Sequence, residues 1–361
     1  MSSFSTKIVL KKIYTMSYEI IKKVPTSDEI IAKIPLSAQG YESIAKHHSE
    51  IENILNGSDD RLLMIVGPCS AWPSSAVLEY AAKLKQLSEK VSDSIKLVMR
   101  VYIQKPRTVK GWTGPINQPD PLAEPDIESG IWYCRDLMVK VVEMGLPIAD
   151  ECLFTHNARG FQELLSWVAI GARSTEDQEH RIFASSLECP VGMKNPTHGS
   201  LKIAVNSIVA AQHSHYVVFD GYEVKTSGNK YAHLVLRGSN DKTNYDTASI
   251  AEVAQLFNKD KVLNPAIVVD VSHDNCVVNG IKDHNAQYDI VLNVLQDLED
   301  KPELRKLVKG FMLESFIKEG RQNVDASSDI DMDGLSITDP CLSWDRTEEL
   351  ILQVAQLNRN N

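Results

Sequence analysis

Short apolar runs alternate along this chain with segments of helical periodicity, from residue 62 to the C-terminus. Nearly every run ends beside a residue capable of chemistry, as Leu62-Leu63-Met64-Ile65-Val66 does before Cys69. Buried strands that end in reactive residues are typical of the active-site rim of a parallel barrel. The runs predict strands at residues 62–66, 96–99, 147–149, 167–171, 190–193, 215–219, 234–236, 267–271 and 308–313. Residues 215–219 are interpreted as the sixth strand, which opens an insert that closes on residues 234–237.

Helix-period stretches separate these runs and complete the predicted units. They lie at residues 75–87, 126–144, 158–166, 201–211, 247–257, 285–298 and 346–357. Eight βα units in one chain favour an α/β fold of the (β/α)8 TIM-barrel class over an open doubly wound sheet. Residues 59–361 would form this catalytic barrel.

Three further segments interrupt or precede the alternation. Residues 1–58 are predicted to form an N-terminal extension, with an edge strand at residues 7–14 and helices after it. Residues 105–126 read as a long loop after the second strand, and long loops inside compact enzymes are usually functional. A β-hairpin is predicted after strand six, from Asp220 to about Tyr231, with its turn at Ser227-Gly228-Asn229.

Composition narrows the class of partner. The chain has 361 residues, 43% of them apolar, and a net charge of −10. An acidic surface disfavours nucleic acid and anionic membranes. No apolar run approaches the ~18 residues of a membrane span. The six cysteines are scattered without a C-x-x-C pair, which suits a reducing compartment. We therefore expect a cytoplasmic protein with no nucleic-acid or membrane partner.

Four potential metal ligands follow strands one, seven and eight, which are neighbours in a closed barrel. They are Cys69, His273, Glu314 and Asp339. A thiolate, an imidazole and two carboxylates suit a divalent transition ion such as Mn, Fe, Co or Zn better than Mg or Ca. Taken singly, the cysteine would more often be a small core residue, and the histidine an ordinary satisfied side chain.

Cationic side chains also collect at or just beyond the strand ends. They are Arg100, Lys105, Arg107, Arg173, Lys194 and Arg237. Each alone would be read as a solvated surface charge. Together at a barrel mouth they would repel one another unless an anion bound there. Because arginine forks match phosphate and carboxylate oxygens, the set predicts a pocket for phosphorylated substrates.

These residues lie in motifs that closely resemble the class I (type Iα) 3-deoxy-D-arabino-heptulosonate 7-phosphate (DAHP) synthases, from about residue 40 to the end. The motifs occur in order as Gly67-Pro68-Cys69-Ser70, Met99-Arg100-Val101-Tyr102, Lys105-Pro106-Arg107-Thr108, Gly171-Ala172-Arg173-Ser174-Thr175-Glu176, Gly192-Met193-Lys194-Asn195, Leu236-Arg237-Gly238, Ser272-His273-Asp274-Asn275 and Ser336-Ile337-Thr338-Asp339-Pro340-Cys341. The resemblance implies a transferase of the shikimate pathway that joins phosphoenolpyruvate to erythrose 4-phosphate and releases phosphate.

The resemblance also assigns roles. It implies that Arg173, Lys194 and Arg237 anchor phosphoenolpyruvate, with Arg100 and Lys105 beside them. The Lys105-Pro106-Arg107-Thr108 run would hold erythrose 4-phosphate. It implies a catalytic metal on Cys69, His273, Glu314 and Asp339, which agrees with the set read from the residues. Lys105 is the candidate proton shuttle. Glu151 is a candidate orienter of water or of a lysine, and a structural ion pair is an equal alternative.

Other readings stay open at this stage. A 3-deoxy-D-manno-octulosonate 8-phosphate synthase would use arabinose 5-phosphate but would lack the Lys-Pro-Arg-Thr run. A class II aldolase would be expected to use a histidine-rich metal shell, and a catalytically dead barrel would be expected to lack one or more ligands. Assembly as a homodimer or homotetramer is expected. Three features depart from the family pattern. The hairpin at residues 220–226 is short, Glu188 stands where regulated members tend to carry a small hydroxyl residue, and Leu335 stands where many members have a lysine. The hairpin and Glu188 predict weak or absent inhibition by phenylalanine and tyrosine.

Overall fold

Eight parallel strands close into a barrel in the computed structural model, which describes residues 17–107, 111–153, 159–219, 221–240, 242–278, 280–324 and 329–360. The barrel strands are β1 (Leu62–Gly67), β2 (Ile95–Arg100), β3 (Ile148–Glu151), β4 (Trp167–Ile170), β5 (Val191–Lys194), β8 (His233–Leu236), β9 (Ile267–Asp270) and β12 (Val308–Glu314). Strand β12 lies between β1 and β9, and β2 closes the ring against β1. The predicted barrel is confirmed.

Helices follow every barrel strand and surround the barrel. Their bounds are α1 (Ser27–Lys33), α2 (Ala38–Asn56), α3 (Ser74–Lys90), α4 (Ile127–Glu143), α5 (Arg159–Gln162), α6 (Gln178–Ala184), α7 (Leu201–Gln212), α8 (Thr247–Asp260), α9 (Ala286–Asp297), α10 (Pro302–Arg305) and α11 (Trp344–Asn360). Short polar residues start several of them: Ser37, Ser200 and Asp246 each accept a hydrogen bond from a backbone N–H of the first turn. Such caps satisfy donors that have no partner within the helix.

Helix α2 covers the end of the barrel opposite the reactive residues. Its Ile51, Ile54 and Leu55 are buried in one cluster with barrel residues, among them Leu63 and Trp167. A lysine at the start of β2, Lys96, lies against His47 and Glu50 of the same helix. Because the helix packs at the N-terminal ends of the strands, the C-terminal ends remain open for chemistry. The boundary between extension and barrel at residue 58 stays a prediction, and the predicted strand at residues 7–14 lies outside the described residues.

The hairpin lies before the sixth barrel strand, and not after it as predicted. Among the strands of the described residues, β6 (Tyr216–Phe219) pairs with β7 (Tyr222–Lys225) alone, in an antiparallel two-stranded sheet. Phe219 and Tyr222 are the last pair of this sheet, so the turn expected at residues 227–229 is wrong. Residues 216–219 suggest a core strand because their side chains are largely apolar, yet Tyr216 and Val218 are exposed. The sixth barrel strand is β8.

Several smaller elements differ from the expectation. Helix α6 was not predicted, and the helix expected at residues 158–166 is limited to α5 among the described residues. A 3-10 helix at His273–Cys276 leads into a second small hairpin formed by β10 (Val277–Val278) and β11 (Ile281–Lys282). The described part of the 105–126 segment contains no helix or strand, in agreement with the predicted loop. Within the described residues, no helix is long and apolar enough to cross a membrane.

Candidate active site

The predicted site residues collect at the C-terminal ends of the barrel strands. Arg100, Glu151, Lys194 and Glu314 are the last residues of β2, β3, β5 and β12. The others lie in the segments that follow barrel strands: Cys69, Lys105, Arg107, Arg173, Arg237, His273 and Asp339. In the register of the sheet, Gly67 of β1 is opposite Glu314 of β12, so Cys69 begins its loop beside that carboxylate.

Three of the four predicted metal ligands converge. One potential ligand atom from each of Cys69, Glu314 and Asp339 lies within 4.8 Å of the other two. The sulfur of Cys69 is 3.5 Å from Oδ2 of Asp339 and accepts the backbone N–H of the same residue at 3.4 Å. His273 lies beside this trio, with its Nε2 4.0 Å from Oε1 of Glu314. A thiolate, two carboxylates and an adjacent imidazole form a donor set suited to a divalent transition ion.

Neighbouring cations determine the charge of the two carboxylates. Burial opposes ionisation of Glu314, but the charges of Lys282 and Lys105 outweigh it, and the pKa of Glu314 is lowered to about 2. Burial also opposes ionisation of Asp339, and Lys105 and Lys282 hold its pKa well below the usual range. Both are therefore carboxylates at neutral pH. Burial, with Glu314 next, raises the pKa of the Cys69 thiol to about 11.

His273 is held in place by groups on its far side. Its Nδ1 lies 2.7 Å from Oδ2 of Asp270 and 2.9 Å from Oγ of Ser272. Burial, only partly opposed by Asp270, lowers the pKa of His273. A neutral imidazole oriented through Nδ1 by a carboxylate has Nε2 available for a metal, an arrangement common among metal-binding histidines.

Two lysines contact the ligand trio. Nζ of Lys105 donates to Sγ of Cys69 at 2.7 Å and to Oδ2 of Asp339 at 2.9 Å. Nζ of Lys282 lies 3.1 Å from Oε2 of Glu314 and 3.5 Å from Oδ2 of Asp339. Burial disfavours both ammonium groups, but the surrounding Cys69, Asp339 and Glu314 raise the pKa of each lysine. Both lysines therefore stay protonated at neutral pH.

Three of the predicted anion-binding cations are buried around the trio. Arg100 is 1% exposed and Lys194 is 2% exposed. The Arg100 guanidinium stacks on the ring of Tyr102, and its Nη2 donates to Oε1 of Glu314 at 3.3 Å. Among the described residues, Nη1 of Arg100 and Nε of Arg237 have no hydrogen-bond partner despite being buried. Because a buried unpaired donor is costly, these atoms support an anion site.

The remaining predicted residues are less enclosed. Arg173 and Arg107 are exposed, and Nε of Arg107 donates to the backbone oxygen of Trp112 at 2.8 Å. Thr108 lies outside the described residues. Glu151 points toward Gly171, where a side chain's Cβ would come within 2.1 Å of its Oε1. The absence of a side chain at Gly171 therefore makes room for the Glu151 carboxylate.

Sequence reasoning missed three charged residues of the site. Asp270 ends β9 and is fully buried, with its Oδ2 3.2 Å from Nζ of Lys194. Asp274 pairs with Arg237. Lys282 comes from β11. Asp270 could have been predicted, since it lies at the end of a barrel strand as other site residues do. Nothing in the local sequence pattern indicates Lys282.

Comparison with known proteins decides the family. Residues 33–352 match the DAHP synthetase I family. This chain belongs to that family. The resemblance inferred from the motifs is therefore confirmed, and with it the expectation that the chain is an enzyme.

Relatives of the family cover nearly the whole chain. The Trp-sensitive phospho-2-dehydro-3-deoxyheptonate aldolase of Escherichia coli K12 is 38% identical, over 93% of this chain and 95% of the relative. The Tyr-sensitive enzyme of the same strain is 39% identical, over 92% of each. A solved structure of phospho-2-dehydro-3-deoxyheptonate aldolase from Francisella tularensis SCHU S4 aligns with a TM-score of 0.88 and 32% identity, covering 96% of this chain and 99% of its own. The likeness to this solved structure supports the barrel architecture of the chain.

Proposed function

We propose that this chain is a metal-dependent DAHP synthase, which condenses phosphoenolpyruvate with erythrose 4-phosphate and water to give DAHP and phosphate. The observation that carries the proposal is the convergence of Cys69, Glu314 and Asp339 within a rim of buried cations. Family membership supports the reaction class. The reaction would supply the shikimate pathway to aromatic amino acids. Cytoplasmic location and assembly as a homodimer or homotetramer stay predictions.

Cys69, His273, Glu314 and Asp339 would hold the metal. Their donor chemistry fits an ion of the Mn, Fe, Co or Zn type, because such ions accept mixed sulfur, nitrogen and oxygen ligands. When bound there, the ion supplies Lewis-acid polarisation of the aldehyde oxygen. A thiol whose pKa is about 11 must lose its proton to become a ligand, so ion binding would release a proton.

The buried cations would hold phosphoenolpyruvate. Lys194 ends β5, and Arg237 follows the adjacent strand β8. Arg100 lies across the barrel beside Glu314. The unpartnered Nη1 of Arg100 and Nε of Arg237 would donate to phosphate or carboxylate oxygens of the substrate. Arg173 would complete the anchor from the loop after β4. Such preorganised donors stabilise the charge of the departing phosphate.

The proposed reaction requires the following bond changes. C3 of the enol attacks the aldehyde carbon of erythrose 4-phosphate, whose phosphate Arg107 and Thr108 would bind. Attack leaves positive character at C2, where water adds, and the bond between C2 and the phosphate oxygen then breaks to give the ketone and phosphate. Lys105, protonated at neutral pH, would give its proton to the new hydroxyl. One proton of the added water would restore Lys105, and the other would leave with the phosphate. Glu151 would orient the attacking water or a lysine.

A coupled assay of product formation tests the proposal. Purified protein with Mn²⁺ should release phosphate from phosphoenolpyruvate when erythrose 4-phosphate is present, in equal amount with DAHP. Arabinose 5-phosphate serves as the matched sugar, and we expect little turnover with it. Faster turnover with arabinose 5-phosphate would assign the chain to the related octulosonate chemistry, and no turnover with either sugar would contradict the proposal.

A further inference from the structure

Lys282 contacts the proposed metal ligands from the small hairpin of β10 and β11, which has no role in the proposed function. Strands β10 and β11 pair in antiparallel register, with Val277 opposite Lys282 and Val278 opposite Ile281. Side chains alternate along a strand, so Ile281 is 73% exposed while the Lys282 side chain, 23% exposed, turns toward the barrel. The hairpin thus presents one cation to the site.

The two oxygens of Glu314 have different partners. Oε2 accepts a hydrogen bond from Nζ of Lys282 at 3.1 Å. Oε1 accepts one from Nη2 of Arg100 at 3.3 Å and lies 4.0 Å from Nε2 of His273. With Oε2 engaged by the lysine, the carboxylate has a fixed rotation about its last bond, and Oε1 faces the histidine ligand. Glu314 is fully buried, so no solvent competes for either oxygen.

We propose that Lys282 is a positioning residue for the metal centre, which holds Glu314 by Oε2 and so would leave Oε1, on the side of His273, to serve as the ligand atom. The inference rests on the proposed function, since it concerns the same ligands. Groups that hydrogen-bond to a metal ligand orient it and contribute to metal affinity. Lys282 also approaches Oδ2 of Asp339 at 3.5 Å, so the same ammonium constrains two of the carboxylate ligands.

The positive charge of Lys282 could also weaken metal binding, which is the opposite of the proposed positioning effect. An ammonium near a divalent ion repels it, and if repulsion dominated, removing the charge would strengthen metal binding. If orientation dominates, removing the ammonium weakens binding. The sign of the change in metal affinity therefore distinguishes a positioning residue from a competing cation.

Titration with Co²⁺ measures this sign without relying on turnover. The thiolate of Cys69 bound to Co²⁺ gives a charge-transfer absorption, and its increase with added Co²⁺ yields the dissociation constant. Lys282→Met, which keeps an unbranched side chain but lacks the ammonium group, should raise that constant by about 10- to 100-fold and weaken the absorption band. Lys282→Arg, which keeps a cationic donor, should restore most of the affinity. Lys259→Met, at an exposed position of α8, is the matched control and should leave the titration unchanged.

The outcomes separate this inference from the proposed function. Unchanged or stronger Co²⁺ binding by Lys282→Met, with a native far-UV spectrum, would overturn the positioning role. Absence of Co²⁺ binding by the unaltered protein would instead contradict the metal centre itself. If Lys282→Met does not fold, Lys282→Gln is titrated in its place, and unchanged affinity in that variant would equally overturn the proposal.

Discussion

Nδ1 of His273 lies 2.7 Å from Oδ2 of Asp270, and the same oxygen lies 3.2 Å from Nζ of Lys194. One fully buried carboxylate therefore serves both halves of the site, the proposed metal ligand and the proposed phosphate anchor. Burial opposes its charge, but His273 and Lys194 hold the pKa of Asp270 well below the usual range. The proposed metal and anion sites are thus electrostatically linked through Asp270.

Asp270→Asn should weaken metal binding, because the variant lacks the carboxylate that orients the His273 ring, although the amide has the same shape. We expect the Co²⁺ dissociation constant to rise by about 10- to 100-fold. Asp274→Asn is the matched control: Asp274 pairs with Arg237 and not with His273, so its loss should leave Co²⁺ affinity near that of the unaltered protein. Equal affinities for Asp270→Asn and the unaltered protein would contradict the account of His273.

Arg173→Ala and Arg107→Ala should affect different substrates. Arg173 follows β4 and is proposed to bind phosphoenolpyruvate, whereas Arg107 lies in the loop after β2 and is proposed to bind erythrose 4-phosphate. Loss of a charge-assisted hydrogen bond predicts that the KM of the corresponding substrate rises by about 10-fold or more. Steady-state kinetics with each substrate varied in turn gives the two KM values. The reverse pattern would show that the two phosphate sites are exchanged.

Glu50 should make a pH-dependent contribution to the stability of the fold, at the end of the barrel that α2 covers. Its hydrogen bond with His47, opposed by burial and assisted by Lys96, lowers the pKa of Glu50 to about 2. A lowered carboxyl pKa stabilises the fold above the unfolded-state pKa, and this stability is lost as the pH falls toward the folded value. Glu50→Gln should therefore cost about 1 kcal/mol near neutral pH, after allowance for solvent screening, and less as the pH falls below about 4.5.

Thermal or urea unfolding at several pH values measures this difference. Glu89→Gln, which removes an exposed carboxylate paired with Lys85 on α3, is the control and should change little. A destabilisation by Glu50→Gln that stays constant from neutral pH to about pH 3 would show that the ionised carboxylate is not what stabilises this contact.

Phenylalanine and tyrosine should inhibit weakly or not at all. Glu188 is exposed, and a carboxylate there would repel the carboxylate of an amino-acid effector. The ammonium of Lys225, which could compensate for it, lies over the ring of Tyr216 at 5.4 Å. The hairpin is short, with two strands of four residues. Because Tyr216, Val218 and Tyr222 expose apolar surface on it, the prediction rests mainly on the charge of Glu188. Inhibition curves for phenylalanine, tyrosine and tryptophan test this separately, and strong inhibition by micromolar phenylalanine or tyrosine would refute it.

The barrel and most of the rim were predictable because burial and reactivity change abruptly at each strand end. Cys69, His273 and Glu314 follow from that rule, since strands β1, β9 and β12 must be neighbours in a closed sheet. Asp339 lies in the loop after β12, and its assignment also drew on the family resemblance. The rule failed at residues 216–219. There the apolar side chains alternate between exposed and half-buried positions, and a single sequence does not tell an exposed apolar strand from a core strand.

Residues whose position depends on irregular backbone could not be predicted. Lys282 reaches Glu314 only because a 3-10 helix and a two-residue strand redirect the chain after His273. Asp274 meets Arg237 because the loop after β9 crosses the end of β8. Neither contact has a periodic signature, so only the three-dimensional arrangement reveals it.

The most direct test of the central claim is turnover of metal-stripped protein as a function of added ion. Protein treated with EDTA and verified by elemental analysis should form no DAHP from phosphoenolpyruvate and erythrose 4-phosphate. Activity should return with Mn²⁺, Co²⁺ or Fe²⁺ and saturate at one bound ion per chain, and Cys69→Ser should need a higher ion concentration. Full turnover by protein that elemental analysis shows to be free of metal would contradict the account.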